Sequence, residues 1–287
     1  MIDMPTVRVP EFLDEVRPTT WRVLALAIVA IVGSLLLSNY VLFQGRVGEV
    51  LTGLKSETSG WVSSTLVAGL LTLAIFAVVV LGIGRLRPSD VGWNARSAGV
   101  GLLVTLGFWI AMQGALLLIA ALRGEAVALH QAWTSRGVGF VLGGLLAQLL
   151  GNALTEEVQF RGFLLPQLYR QATGRYRRGV ALAIALVGTH VLFALSHIPN
   201  HVFVKQMTAA EIVADQFALF FAGLFLATIY LVTRNLFVAI GIHSLSNEQV
   251  PLVQASENMT GVVWFGLTLI LIVAWPFARK FRRDGWN

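Results

Sequence analysis

Thr155-Glu156-Glu157-Val158-Gln159-Phe160-Arg161-Gly162 sets two adjacent carboxylates and an arginine inside a greasy run. The largely apolar stretch 137–154 leads into it and Phe163-Leu164-Leu165 leads out. Three charges therefore lie at membrane depth, where an unpaired charge costs several kcal/mol. Helical geometry separates the two acids. At about 100° per residue, Arg161 lies roughly 40° around the helix from Glu157 and roughly 140° from Glu156. Glu157 and Arg161 form an i, i+4 pair with the acid first, the favourable order. Glu156 faces elsewhere without that partner. A carboxylate in a dry site with no neutralising neighbour suits proton exchange near neutral pH; the alternative is a structural ion pair with a spare acid.

The composition is that of an integral membrane protein. Of 287 residues, 56% are hydrophobic and 13% charged, against about a quarter charged in soluble chains. The absence of cysteine excludes disulfides, thiolate catalysis and cysteine-ligated zinc or iron–sulfur sites. A net charge of +6 could suggest nucleic acid, but such a partner needs a basic patch on one soluble face. Here the charge is scattered among short loops, so no nucleic-acid partner is expected.

Eight apolar runs of about bilayer length follow one another: 23–43, 61–84, 98–122, 137–169, 180–197, 212–232, 236–253 and 261–278. The fold expected is all-α, a polytopic bundle of about eight transmembrane helices. Residues 1–22 form a polar tail, 23–136 the N-terminal helices, 137–278 the core that carries the motifs, and 279–287 a basic tail. Sixteen of the 21 Lys and Arg fall in the tails and every second loop, and five in the alternating loops. The positive-inside rule then puts both termini in the cytoplasm, and a multi-pass protein of a prokaryotic plasma membrane is expected.

Two further pairs join the acids. Phe193 and His197, near the end of the fifth run, and His243 and Asn247, inside the seventh, each have i, i+4 spacing and so share a helix face. One intramembrane histidine is commonly a helix–helix hydrogen bond. Two histidines, an asparagine and a free glutamate on three helices are harder to attribute to packing. His190 shares the face of His197 and reads as packing; His201 is cut off from His197 by Pro199; His130 falls in an outer loop. No His-Glu-x-x-His signature and no Gly-x-Ser-x-Gly elbow occurs, and Gly143-Gly144 reads as close helix packing.

Glu156-Glu157-x-x-x-Arg161, Phe193-x-x-x-His197 and His243-x-x-x-Asn247, in that order across residues 137–255, resemble the CPBP family. These are the type II CAAX prenyl proteases and their bacterial relatives, also called Abi proteins. The resemblance implies an intramembrane endopeptidase acting on a membrane-associated protein or peptide. In it Glu156 activates water, His197 positions or shares that proton, and His243 and Asn247 bind the oxyanion. Glu157, Arg161 and Phe193 are supporting residues. It also implies catalysis without a cofactor, although Glu156, His197 and His243 form a set of the type that binds catalytic zinc. A proton-coupled transporter would use similar residues, but no inverted repeat is present; a non-proteolytic immunity or regulatory protein could keep the fold. Counted from the basic helix ends, Glu156, His197 and His243 lie at depths of about 21, 27 and 14 Å. A deep cavity open to the cytoplasm, with tilted helices, is expected to reconcile them.

Overall fold

The computed structural model describes residues 9–254 and 259–284. The first eight residues of the polar tail, 255–258 of the last loop and the final three of the basic tail lie outside the described residues. The fold among them is all-α. Apart from the short helices Phe12–Glu15, Pro88–Val91 and Gln131–Ser135, the helices in chain order are α1 (Trp21–Leu42), α2 (Gly45–Glu57), α3 (Ser64–Ile83), α4 (Ala95–Leu122), α5 (Val138–Ala172), α6 (Arg178–Phe203), α7 (Ala209–Thr233), α8 (Leu236–Asn247) and α9 (Met259–Asp284). All but α2 and α8 are long and apolar enough to cross a bilayer. Such runs become helices because lipid offers their N–H and C=O groups no other partner. Short polar side chains set several starts by accepting orphan N–H groups: Thr20 before α1, Ser63 before α3, Asn94 before α4, Asn235 before α8. Thr208 and Glu211 form a reciprocal capping box at α7.

The loops gather at two opposite ends. At one, Asp14 pairs with Arg178 and Arg170 and accepts a hydrogen bond from the Tyr169 hydroxyl. Gln167 accepts from the Thr19 N–H (2.8 Å) and donates to the Arg17 carbonyl (2.9 Å); Arg17 reaches the Arg85 carbonyl, and Asn235 the Ser97 carbonyl. These segments belong to the basic set. At the other end Gln44 donates to the Phe203 carbonyl (2.7 Å) and Val253 bridges to Leu129. Basic segments from three parts of the chain, around Arg17, Arg85 and 167–178, thus meet at one end of the bundle.

The seventh run differs from expectation. Its helix stops at Asn247 rather than 253, and 12 residues at 1.5 Å each rise only about 18 Å. Residues 248–254 continue as irregular chain, so seven helices among the described residues, not the eight expected, are long and apolar enough to span. The backbone of 248–254 is satisfied by the protein: the indoles of Trp109 and Trp133 donate to the carbonyls of Val250 and Pro251 (3.0 and 2.8 Å). Gln113 accepts from the Leu252 N–H (2.8 Å). Non-helical backbone at membrane depth is tolerated in just such a buried setting. Pro251 lacks the N–H a helix would need there.

α5 packs against α3, α6 and α8. It is broken at Leu150-Gly151, where Gly151 takes φ −119° and ψ −95°. The break lets two backbones touch: a Cβ on Gly69 of α3 would stand 2.5 Å from the Gly151 carbonyl carbon. One turn on, the Thr155 hydroxyl donates to the Gly69 carbonyl (3.0 Å). From Glu157 to Leu164 the helix is π rather than α, a widened form that is frequent at functional sites.

Candidate active site

The i, i+4 pair forms as spacing requires: Arg161 Nη1 lies 3.1 Å from Glu157 Oε1, and neither side chain is exposed at all. Arg161 donates its other amino group to the Gly223 carbonyl of α7 (2.9 Å) and lies over the Phe193 ring at 4.6 Å. The Phe193 ring stands edge-on to Phe160 at 5.1 Å and 4.8 Å from the His197 ring. Phe193 thereby joins the buried cation to one of the histidines by a cation–π contact and an aromatic one.

Glu157 does more than neutralise Arg161. Its Oε1 is also 2.8 Å from His243 Nδ1, so one carboxylate orients a guanidinium and an imidazole together. Helical spacing along α5 could not reveal this, because His243 arrives from α8. Sharing with a carboxylate assigns the proton to Nδ1 and turns Nε2 toward Glu156, at 3.7 Å. His197 repeats the arrangement from the other side. Its Nδ1 donates to the Phe193 carbonyl (2.9 Å), and its Nε2 faces Glu156 at 3.9 Å. Two imidazoles with Nδ1 already committed thus flank one carboxylate, a trio suited to holding a shared proton. Orientation of Nδ1 by an acceptor is also how metal-binding histidines are held. Among the described residues, however, no three His, Asp or Glu side chains gather closely enough to hold a metal ion.

Glu156 and His197 line a cavity of about 280 Å³, room for several waters at about 30 Å³ each. Asn39, Gln148, Asn152, Gln159 and Asn200 also line it, together with Ser38 and Thr155. His243 and Asn247 do not. Asn247 is exposed, and its amide donates to Gln148 Oε1 (3.0 Å), which ties it to the cavity wall at one remove. Gln148 was not foreseen, although Gln148, Asn152 and Glu156 recur every fourth residue through an apolar run and could have been read as a polar stripe. The α1 wall was not legible at all, since Ser38 and Asn39 match no motif.

The discordance between Glu156 and His243 has a structural origin. The turn before α8 is not level with the other helix ends: Leu236 packs beside Gly162, about ten residues inside the end of α5. From that shared level Glu156 is about 9 Å and His243 about 11 Å further along their helices. The cavity also lies elsewhere than expected. Phe43, Thr65 and Asn200, near the non-basic helix ends, line it, so it extends from mid-depth away from the basic loops.

Of the other histidines, His190 and His130 stand apart from this group, whereas His201 is not cut off by Pro199 as expected: the helix continues, the His201 N–H donates to the His197 carbonyl (3.1 Å) and the two rings lie 6.3 Å apart. His190 is fully buried, with Nδ1 2.6 Å from the Leu186 carbonyl and Gly223 against its ring, as packing requires. His201 Nε2 pairs with Asp215 at 2.9 Å. His130 caps the turn Gln131–Ser135 by accepting from the Ala132 N–H. Gly143 lets α5 approach the Gly60 carbonyl.

Residues 138–248 match the family model of the Rce1-like type II CAAX prenyl endopeptidases. The resemblance read from the three motifs is that family, and its implication is a membrane protease acting on a membrane-associated protein. Comparison with curated proteins gives no match, and comparison with solved structures gives none.

Proposed function

Taking the CAAX-type protease family of residues 138–248 as the premise, we propose that this chain is an intramembrane endopeptidase in which Glu156 activates the attacking water. The observation that carries the reading is the inequivalence of the two acids: Glu157 is wholly buried between Arg161 and His243, while Glu156 meets the cavity between two imidazoles. In the first step a cavity water loses a proton to Glu156 as its oxygen bonds to the scissile carbonyl carbon. His243 and Asn247 then donate to the oxyanion. For His243 this uses a proton on Nε2, the nitrogen that its Nδ1 contact with Glu157 leaves facing Glu156. As the C–N bond breaks, the proton held by Glu156 and shared with His197 passes to the leaving amine.

The oxyanion role predicts that Asn247→Ala lowers kcat by roughly 100-fold to 1,000-fold, the effect of losing one such donor, with KM little changed. Gln148→Ala, which removes only the partner of that amide, lowers it less. The reaction needs no metal on this reading. Purified protein keeps full activity after exhaustive chelation, and His243→Ala remains slow but active. Chelator-sensitive activity restored by zinc would instead make Glu156, His197 and His243 ligands. Peptide-independent proton flux with no cleavage would favour the transporter.

Both termini lie in the cytoplasm on this reading, since sixteen of the 21 Lys and Arg fall in the tails and every second loop. A reporter fused after Asn287 registers as cytoplasmic; an extracytoplasmic signal contradicts the orientation.

A further inference from the structure

The cavity and the basic loops occupy opposite ends of the bundle. Residues 9–20, the segment around Arg85, 167–178 and 233–235 meet at one end through Asp14, Arg17, Gln167 and Asn235. The cavity reaches Phe43, one residue past α1, Thr65, in the first turn of α3, and Asn200, in the last turns of α6. All three are termini at the other end, where the loops hold five Lys and Arg rather than sixteen. Positively charged loops are retained in the cytoplasm. We infer that the cavity opens to the non-cytoplasmic side, and that its substrate class is polypeptide presented there: exported peptides or outward-facing juxtamembrane segments, not cytoplasmic C-terminal tails.

The wall fits such a ligand. Apart from Glu156 and His197 its polar side chains are amides and hydroxyls, with no Lys or Arg among the lining residues. Two of them, Ser38 Oγ and Gln159 Nε2, are buried and unpartnered, on residues 4% and 1% exposed. Buried polar groups are seldom left without a partner. An extended peptide backbone supplies both carbonyls and N–H groups, and uncharged amides can pair with them whatever the side chains. A tail ending in a carboxylate would find no Lys or Arg here.

The substrate class rests on the proteolytic reading, whereas the side of opening does not. The chain has no cysteine, so single cysteines can be placed without background. Thr65→Cys at the mouth and Asn152→Cys within the cavity are compared with Gly174→Cys, in an exposed turn at the basic end. A membrane-impermeant maleimide should label the first two in intact protoplasts, and Gly174→Cys only in inverted vesicles. The reverse pattern, or cavity cysteines reached only from inverted vesicles, overturns the inference. Retention of a monodisperse detergent peak identifies folded variants, and Ser196→Cys, also on the wall, substitutes for any that fails. In a second arm, a quenched fluorescent peptide library is added to right-side-out and inverted vesicles, with Glu156→Gln as the blank. Cleavage confined to right-side-out vesicles supports the substrate class; cleavage confined to inverted ones sinks it. Outward labelling without cleavage from either side keeps the sidedness and removes the protease reading beneath the substrate class.

Discussion

Glu156→Gln is expected to lower cleavage by about 1,000-fold to 10,000-fold while leaving the melting temperature in detergent close to that of the wild type. The magnitude is the upper part of what general acid–base catalysis contributes. The unchanged stability follows from the setting: Glu156 is partly exposed to the cavity and has no contact closer than 3.7 Å to either histidine nitrogen. Glutamine fills the same volume and can donate to an imidazole Nε2, so the wall is preserved. Retained turnover in this variant would move the water-activating role to another residue and undo the mechanism.

The neighbouring position should behave in the opposite sense. Glu157→Ala leaves the wholly buried Arg161 with one carbonyl and the Phe193 ring. Uncovering one partner of a buried ion pair costs about 3–5 kcal/mol, which registers as a large drop in melting temperature. It also frees His243 Nδ1, so activity falls with stability. Glu157→Gln should be less damaging, since its amide oxygen still accepts from His243. A melting temperature unchanged in Glu157→Ala would contradict the shared-carboxylate account, even if activity were lost.

The different settings of these two glutamates were legible in the sequence, because a helical step of about 100° separates adjacent side chains whatever surrounds them. The π widening at Glu157–Leu164 does not alter which acid meets Arg161. The three motifs and the capping residues were legible for the same reason: each is local. What escaped depends on contacts between distant parts of the chain. His243 meets Glu157 across 86 positions, and Gln148 meets Asn247 across 99. The early stop of α8 turns on two indoles and a glutamine that accommodate bare backbone. The depth of the turn at Asn235 likewise depends on Gly162 making room for Leu236, and hydropathy had no means of registering it.

Asn200 donates to Asn39 Oδ1 at 2.9 Å across 161 residues of chain, and this separation bears on how the protein is made. Ribosomes add about 5–20 residues per second, so α1 precedes its α6 partner by roughly 8–30 s. During that interval the Asn39 amide can satisfy itself, since its Nδ2 donates to the Leu35 carbonyl one turn back (2.8 Å). Its oxygen cannot. The Asn39 oxygen therefore gains its Asn200 partner only after α6 has been made, and completion of this part of the cavity wall is a late event of synthesis.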